Sequence, residues 1–177
     1  ALGLTSGTAS VIVALKAAGI QPGDKVIVPA ITFIASAGAV VSAGAVPVFA
    51  ECDDSFNIDP NELEKVIDKD VKAIMTVPIL GNPCDMDPIM AVAKKHNLKV
   101  VEDVAQSMGS RYKGKYSGTF GDVGAFSLQM NKIITTGDGG IIATNDPVCY
   151  ERAVRFHDQG MFREREGFLN MSGEDEI

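Results

Sequence analysis

Short β-branched runs alternate along this chain with stretches of helical period. Residues 8–18 carry apolar positions at the spacing of a helix face and stop at Gly19. Lys25–Pro29 (KVIVP) reads as a buried strand, 33–43 as a second helix and Val46–Ala50 (VPVFA) as a second strand. A helix follows over Pro60–Asp68, with Asp59 as its cap, since an Asp oxygen accepts the free amide hydrogens of a first turn. Val71–Val77 is a strand, 86–97 a helix and Lys99–Val104 a strand. Val123–Leu128 and Gly140–Thr144 are strands, and Pro147–His157 closes the pattern as a helix. Strands alternating with helices in this way predict parallel βαβ units with right-handed crossovers. Apolar runs without period-two alternation predict a sheet covered on both faces. The pattern therefore predicts an α/β, doubly wound fold.

Composition narrows the picture. A chain of 177 residues, 46% of them hydrophobic, suffices for one domain with a single sizeable core. A net charge of −7 without a basic cluster argues against nucleic acid and anionic membranes as partners. Cys52, Cys84 and Cys149 are odd in number and far apart, which suggests neither a disulfide framework nor a zinc site and suits a reducing cytoplasm. Val26 to Ala50 holds no charged residue and is long enough to cross a bilayer. Pro29, Pro47, Gly38 and Gly44 inside it favour a strand, a helix and a second strand instead. Ala1–Leu4 has no charged segment ahead of an apolar one, so a signal peptide is not expected, and both ends read as cut from a longer chain.

In such sheets ligands bind beyond the carboxyl ends of the strands, and three polar features fall there. Thr5-Ser6-Gly7-Thr8-Ala9 heads a helix, where free amide hydrogens and the helix dipole make either a phosphate cradle or a plain N-cap. Glu102 and Asp103 end an apolar strand; both cannot face the core, so one points into the crevice, unless it caps the following turn. Lys132 lies between a strand and the glycine turn Gly137–Gly140, flanked by Met130, Ile133 and Ile134, and apolar surroundings make an amine nucleophilic. No G-x-G-x-x-G or Walker sequence occurs, which counts against a dinucleotide-dependent oxidoreductase. An anion cradle, a carboxylate and a desolvated amine are together the parts that hold pyridoxal phosphate (PLP), and Phe33 after the first strand is placed to cover a flat ring.

The segments PGDKVIVPAITFIASAGAVVSAGAVPVF, KAIMTVPILGNPCDMDPI, VVEDVAQSMGSRYKGKYSGTFGDVGAFSLQMNK and TTGDGGIIATND resemble the sugar aminotransferases of the DegT/DnrJ/EryC1/StrS family. The resemblance covers nearly all of residues 5–160 in the right order. It implies the large domain of a fold-type-I PLP enzyme, a three-layer α/β/α sandwich with a mostly parallel sheet. It also implies amino transfer from glutamate or glutamine to a keto-sugar, nucleotide-linked, or a keto-cyclitol of the scyllo-inosose type. By position, Lys132 would be the lysine that anchors the cofactor and then moves the proton. Asp103 would pair with the ring nitrogen, Gln106 would lie by the ring face or its 3-oxygen side, and Phe33 would stack on the ring. Gly7, Thr8 and Ser127 would hold the phosphate. Lys132 separates the chain from the family's dehydrase branch, which has His there.

The family usually has Glu where Asp138 stands, and its members run to about twice this length. The resemblance thus makes residues 1–160 the cofactor-binding domain without its N-terminal arm, and 161–177 the start of the link to a C-terminal small domain. It also implies a homodimer with a shared active site. A fragment inactive alone, or a PLP-binding regulatory protein of the same fold, are the alternatives. Elsewhere the bland readings prevail. His96 is a solvated last-turn cation, His157 has a structural or interface role, Asp85 or Asp87 caps the helix after Cys84, and Arg163–Glu166 is a solvated segment.

Overall fold

The computed structural model describes residues 1–161. In chain order its main elements are β1 (Leu2–Leu4), α1 (Gly7–Ala17), β2 (Lys25–Pro29), α2 (Ile34–Ser42), β3 (Val46–Ala50), α3 (Leu63–Val66), β4 (Val71–Thr76), α4 (Met86–His96), β5 (Lys99–Asp103), β6 (Arg111–Tyr112), β7 (Lys115–Tyr116), β8 (Val123–Ser127), β9 (Gly140–Ala143) and α5 (Pro147–His157). Seven strands form one sheet in the order β1-β9-β8-β5-β4-β2-β3, and β6 and β7 make a separate hairpin. Strands β3, β2, β4, β5 and β8 run parallel.

Both faces of the sheet are buried, which is why its strands read as unbroken apolar runs. Val26, Val28, Ala73, Met75, Val101, Ala125 and Ile142 pack with α1, α2 and α5 in one core. The intervening Ile27, Ile74 and Val100 pack with α3 and α4 in the other. The uncharged stretch from Val26 to Ala50 is β2, α2 and β3, and no helix among the described residues is long and apolar enough to cross a membrane.

The structure corrects the sequence reading in four places. At one edge, β9 runs antiparallel to β8 and β1 antiparallel to β9. The chain between β8 and β9 contains no helix, and without a crossover it can only return antiparallel. The helix expected over Pro60–Asp68 is the single turn Leu63–Val66; Asp59 Oδ1 accepts from the Asn61 amide as a cap would, but it opens only a turn ahead of that short helix. Neither Asp85 nor Asp87 caps α4 through its side chain. Asp85 stands at the N-cap without a side-chain bond there and accepts from the Tyr112 hydroxyl, while Asp87 pairs with Lys113. Finally, Met130, Ile133 and Ile134 are exposed, so the neighbours of Lys132 in sequence do not shield it. Residues 163–166, and all but the first residue of the expected domain link, lie outside the described residues.

Candidate active site

A cleft of about 450 Å³ opens beyond the carboxyl ends of β5 and β8. Gly7, Thr8, Phe33, Asp103, Gln106, Ser127 and Lys132, all singled out from sequence, line it together. Ser6, Gln129, Asn131 and Asp138 also line it.

The start of α1 forms one end of the cleft. Ser6 is the N-cap and its Oγ accepts from the Ala9 amide at 3.1 Å. The N-cap reading of this segment is therefore correct for Ser6, and it leaves the first-turn amides of Gly7 and Thr8 for a ligand. Gly7 is required by contact: a Cβ there would stand 2.5 Å from Ser127 Cβ. That close approach brings the Ser127 hydroxyl, at the end of β8, against the helix start. Gly7→Ala is expected to weaken PLP binding about tenfold or more, because relieving such overlap costs about 1–3 kcal/mol and falls on the cradle itself. Equilibrium dialysis of the variant against PLP checks this.

The two acids that end β5 point to opposite faces, as strand alternation requires. Glu102 turns away from the cleft, and its carboxylate accepts from the amides of Gly118, Phe120 and Gly121 at 2.6, 2.6 and 2.7 Å. Burial pushes its carboxyl up from the ordinary range, and those amides pull against the rise. Asp103 lines the cleft, only 5% exposed. It accepts from Ser36 Oγ at 2.9 Å and from the Ala105 amide at 3.2 Å. Burial raises its carboxyl, while the Ser36 and Ala105 bonds and the charge of Lys132 lower it.

Lys132 is half-buried on the loop after β8. Gln106 Oε1 accepts from the Leu80 amide at 3.4 Å. Phe33 is 65% exposed at the entry to α2. Sequence reasoning missed Thr32 and Ser36, whose hydroxyls look like filler in an Ala-rich helix start and acquire a role only once α2 meets β5. His96, in the last turn of α4, lies 3.4 Å from Glu64, and His157 is exposed at the end of α5. Burial pushes the Cys84 thiol up to about 12, which makes it inert.

The donor set fits PLP. A helix start closed on a strand hydroxyl by a required glycine suits its phosphate, a buried carboxylate held as an acceptor suits a protonated ring nitrogen, and a primary amine in the same cleft suits its aldehyde.

The comparisons with known proteins agree. The sequence model of the DegT/DnrJ/EryC1/StrS aminotransferase family matches residues 1–173. GDP-perosamine synthase of Escherichia coli O157:H7 is 44% identical over 171 residues, 96% of this chain and 47% of that protein. The crystal structure of the aminotransferase from Psychrobacter cryohalolentis superposes with a TM-score of 0.87 at 41% identity, over 94% of this chain and 45% of that one. NtdA from Bacillus subtilis, solved with bound cofactor PMP, superposes with a TM-score of 0.81 at 34% identity, over 88% of this chain and 35% of that one. The chain thus spans about half the length, or less, of the relatives it matches.

Proposed function

Because the chain belongs to the DegT/DnrJ/EryC1/StrS aminotransferase family, we propose that it is the cofactor-binding part of a PLP-dependent enzyme moving an amino group from glutamate or glutamine to a keto-sugar, nucleotide-linked, or to a keto-cyclitol. The observation that carries this is the convergence of Asp103, Lys132 and the Gly7, Thr8 and Ser127 cradle on one cleft. When bound, PLP supplies an electron sink for the electrons left behind as a substrate carbon loses its proton. The chain's own residues do the rest. Gly7 and Thr8 give amides and Thr8 and Ser127 give hydroxyls to the phosphate. The Asp103 carboxylate accepts from the protonated ring nitrogen. Phe33 would cover a ring face, and Gln106 would stand by the ring face or its 3-oxygen side. Lys132 Nζ would anchor the cofactor and, when free, would be the base that moves the proton between the substrate carbon and the cofactor.

The relatives' greater length supports reading residues 1–160 as one domain and 161–177 as the way into another. Ile34 and Val41 are exposed on one stripe of α2, with Ile31 and Phe33 at its entry and Met130, Ile133 and Ile134 on either side of Lys132 in the chain. Apolar surface of this kind around a cleft suits burial by a second copy, hence a homodimer with a shared site. Three free cysteines, two of them buried, suit a reducing cytoplasm.

The test mixes the full-length protein with PLP, reduces it with borohydride and maps the modified lysine. Glutamate and glutamine are then offered with a panel of nucleotide-linked keto-sugars and inososes. One adduct on Lys132 and amine on one keto compound are expected. Label scattered over surface lysines, with no amino transfer, overturns the proposal.

A further inference from the structure

Asp103 is held by more than its own strand. Its Oδ2 accepts from Ser36 Oγ at 2.9 Å, and Ser36 Oγ lies 2.9 Å from Thr32 Oγ1. Ser36 has one hydroxyl proton and commits it to the carboxylate, so Thr32 must be the donor to Ser36. The chain of donation runs Thr32 to Ser36 to Asp103. Ser36 is 1% exposed, so the link between Thr32 and the carboxylate is itself buried. Phe33 stands between the two hydroxyl residues in sequence and lines the same cleft, so one short segment at the entry to α2 serves both the ring face and the carboxylate.

We propose that Thr32 and Ser36 are positioning residues for the cofactor ring: their two hydroxyls fix the orientation of the Asp103 carboxylate and keep it an acceptor for a protonated pyridine nitrogen. This rests on the reading of Asp103 as the ring-nitrogen partner. A carboxylate surrounded by apolar atoms takes up a proton readily, and a protonated carboxyl no longer accepts from an N–H⁺. A donor on its free oxygen opposes that, and a second donor behind the first strengthens it. Of the charged groups around Asp103, Lys132 and Asp138 line the cleft from the loop after β8, and Glu102 points to the opposite face, satisfied by three amides. Among the described residues, the Ala105 amide and the Lys132 charge assist the Ser36 hydroxyl in holding Asp103 ionised.

The consequence is a pH dependence of binding. Affinity for the ring falls as pH drops through the Asp103 titration, and the Ser36 bond sets where that fall begins. The probe is pyridoxamine 5′-phosphate, which has no aldehyde and cannot bond to Lys132, so the lysine's chemistry does not enter. Its dissociation constant is measured by equilibrium dialysis from about pH 5 to 8 on the full-length protein and on Ser36→Ala, Ser36→Thr, Thr32→Val and Asp103→Ala. The ligand's own titration is common to all, so the differences between variants carry the result.

Ser36→Ala is expected to bind about tenfold more weakly at neutral pH and to move the acid limb upward by about one pH unit, since a bond to a charged group is lost. Thr32→Val, at a half-exposed site, moves the limb the same way by about half as much, and Ser36→Thr restores it. Weaker binding with an unmoved limb in both Ser36→Ala and Thr32→Val makes the pair merely structural and overturns the proposal. If Ser36→Ala does not fold, Thr32→Val decides alone. Asp103→Ala separates the two levels. If it binds like the parent at every pH, the reading of Asp103 itself fails; if it binds weakly while the other variants keep the parent's limb, only the hydroxyl proposal fails.

Discussion

Lys132→Ala is expected to lower the rate of amino transfer by about 10³–10⁴ or more, with little loss of stability. A positioned general base contributes about 10²–10⁴, and in the proposed function this residue also anchors the cofactor, so both losses fall on one substitution. The side chain is half-buried on a loop beyond β8 and belongs to neither hydrophobic core, so truncation leaves the packing intact. Changes at such sites stay within about 0.5 kcal/mol. Lys132→Arg makes the argument sharper. Arginine keeps the positive charge facing Asp103, but its guanidinium stays protonated and can neither bond to an aldehyde nor take a proton. If charge alone mattered, the Arg variant would work; if the amine does the chemistry, both variants are equally dead. The rate of glutamate-dependent amine formation and the mass of the borohydride-fixed protein measure this. An Arg variant retaining more than about one part in a hundred of the parent rate would sink the assignment.

The fold was legible because this sheet is buried on both sides. Strands covered twice are apolar along most of their length, as KVIVP is in β2, and the equally apolar VPVFA coincides at both ends with β3, although that strand lies at the sheet edge with Val46 and Phe49 exposed. Proline at the start of α5 and Asp146 before it mark that helix unambiguously, and Asp146 caps it by accepting from Val148 and Cys149. What stayed hidden depends on partners distant in sequence. Strand β1 is three residues whose only reason to be a strand is the antiparallel edge of β9. The antiparallel return of β9 was in principle readable, since the chain between Ser127 and Gly140 carries two glycines and no helical period, too little for a crossover.

The site divides the same way. The proposed roles of Asp103 and the Gly7–Thr8 turn follow from residue type at a strand end and a helix start, whereas Lys132, half-buried on a loop whose apolar neighbours are exposed, is marked by the family resemblance. Thr32 and Ser36 carry no such mark, because hydroxyls at a helix start are ordinary caps. Their value comes from Asp103, 67 positions away from Ser36. Glu102 and Asp103 show the limit most clearly. The sequence says that one of the pair must enter the cleft, and only the pleat, together with the amides waiting on the other face, says which.

Glu102→Ala is accordingly the substitution expected to cost most stability, about 4 kcal/mol, from the loss of the acceptor for one buried and two part-buried amides at roughly 1–3 kcal/mol each with partial relaxation. That is a large share of the usual ~5–15 kcal/mol for a domain. The amides belong to Gly118, Phe120 and Gly121, in a turn packed tightly on its neighbours. A Cβ at Gly124 would stand 2.3 Å from Gly118 O, and one at Gly121 would stand 2.5 Å from Val100 O. These contacts hold the turn in place and limit its movement towards new acceptors. Glu102→Gln is the discriminating partner. Its one remaining oxygen still serves Phe120 and Gly121, which share Oε1, while its NH₂ confronts the Gly118 amide in place of Oε2. It should therefore lose about half as much, roughly 2 kcal/mol. Urea unfolding of the cofactor-free protein followed by circular dichroism gives both numbers. Because Glu102 precedes Asp103 on β5, the Ala variant should also bind PLP more weakly even where it is fully folded. Equal midpoints for Ala and Gln would mean that the carboxylate is held by packing and not by its three amides.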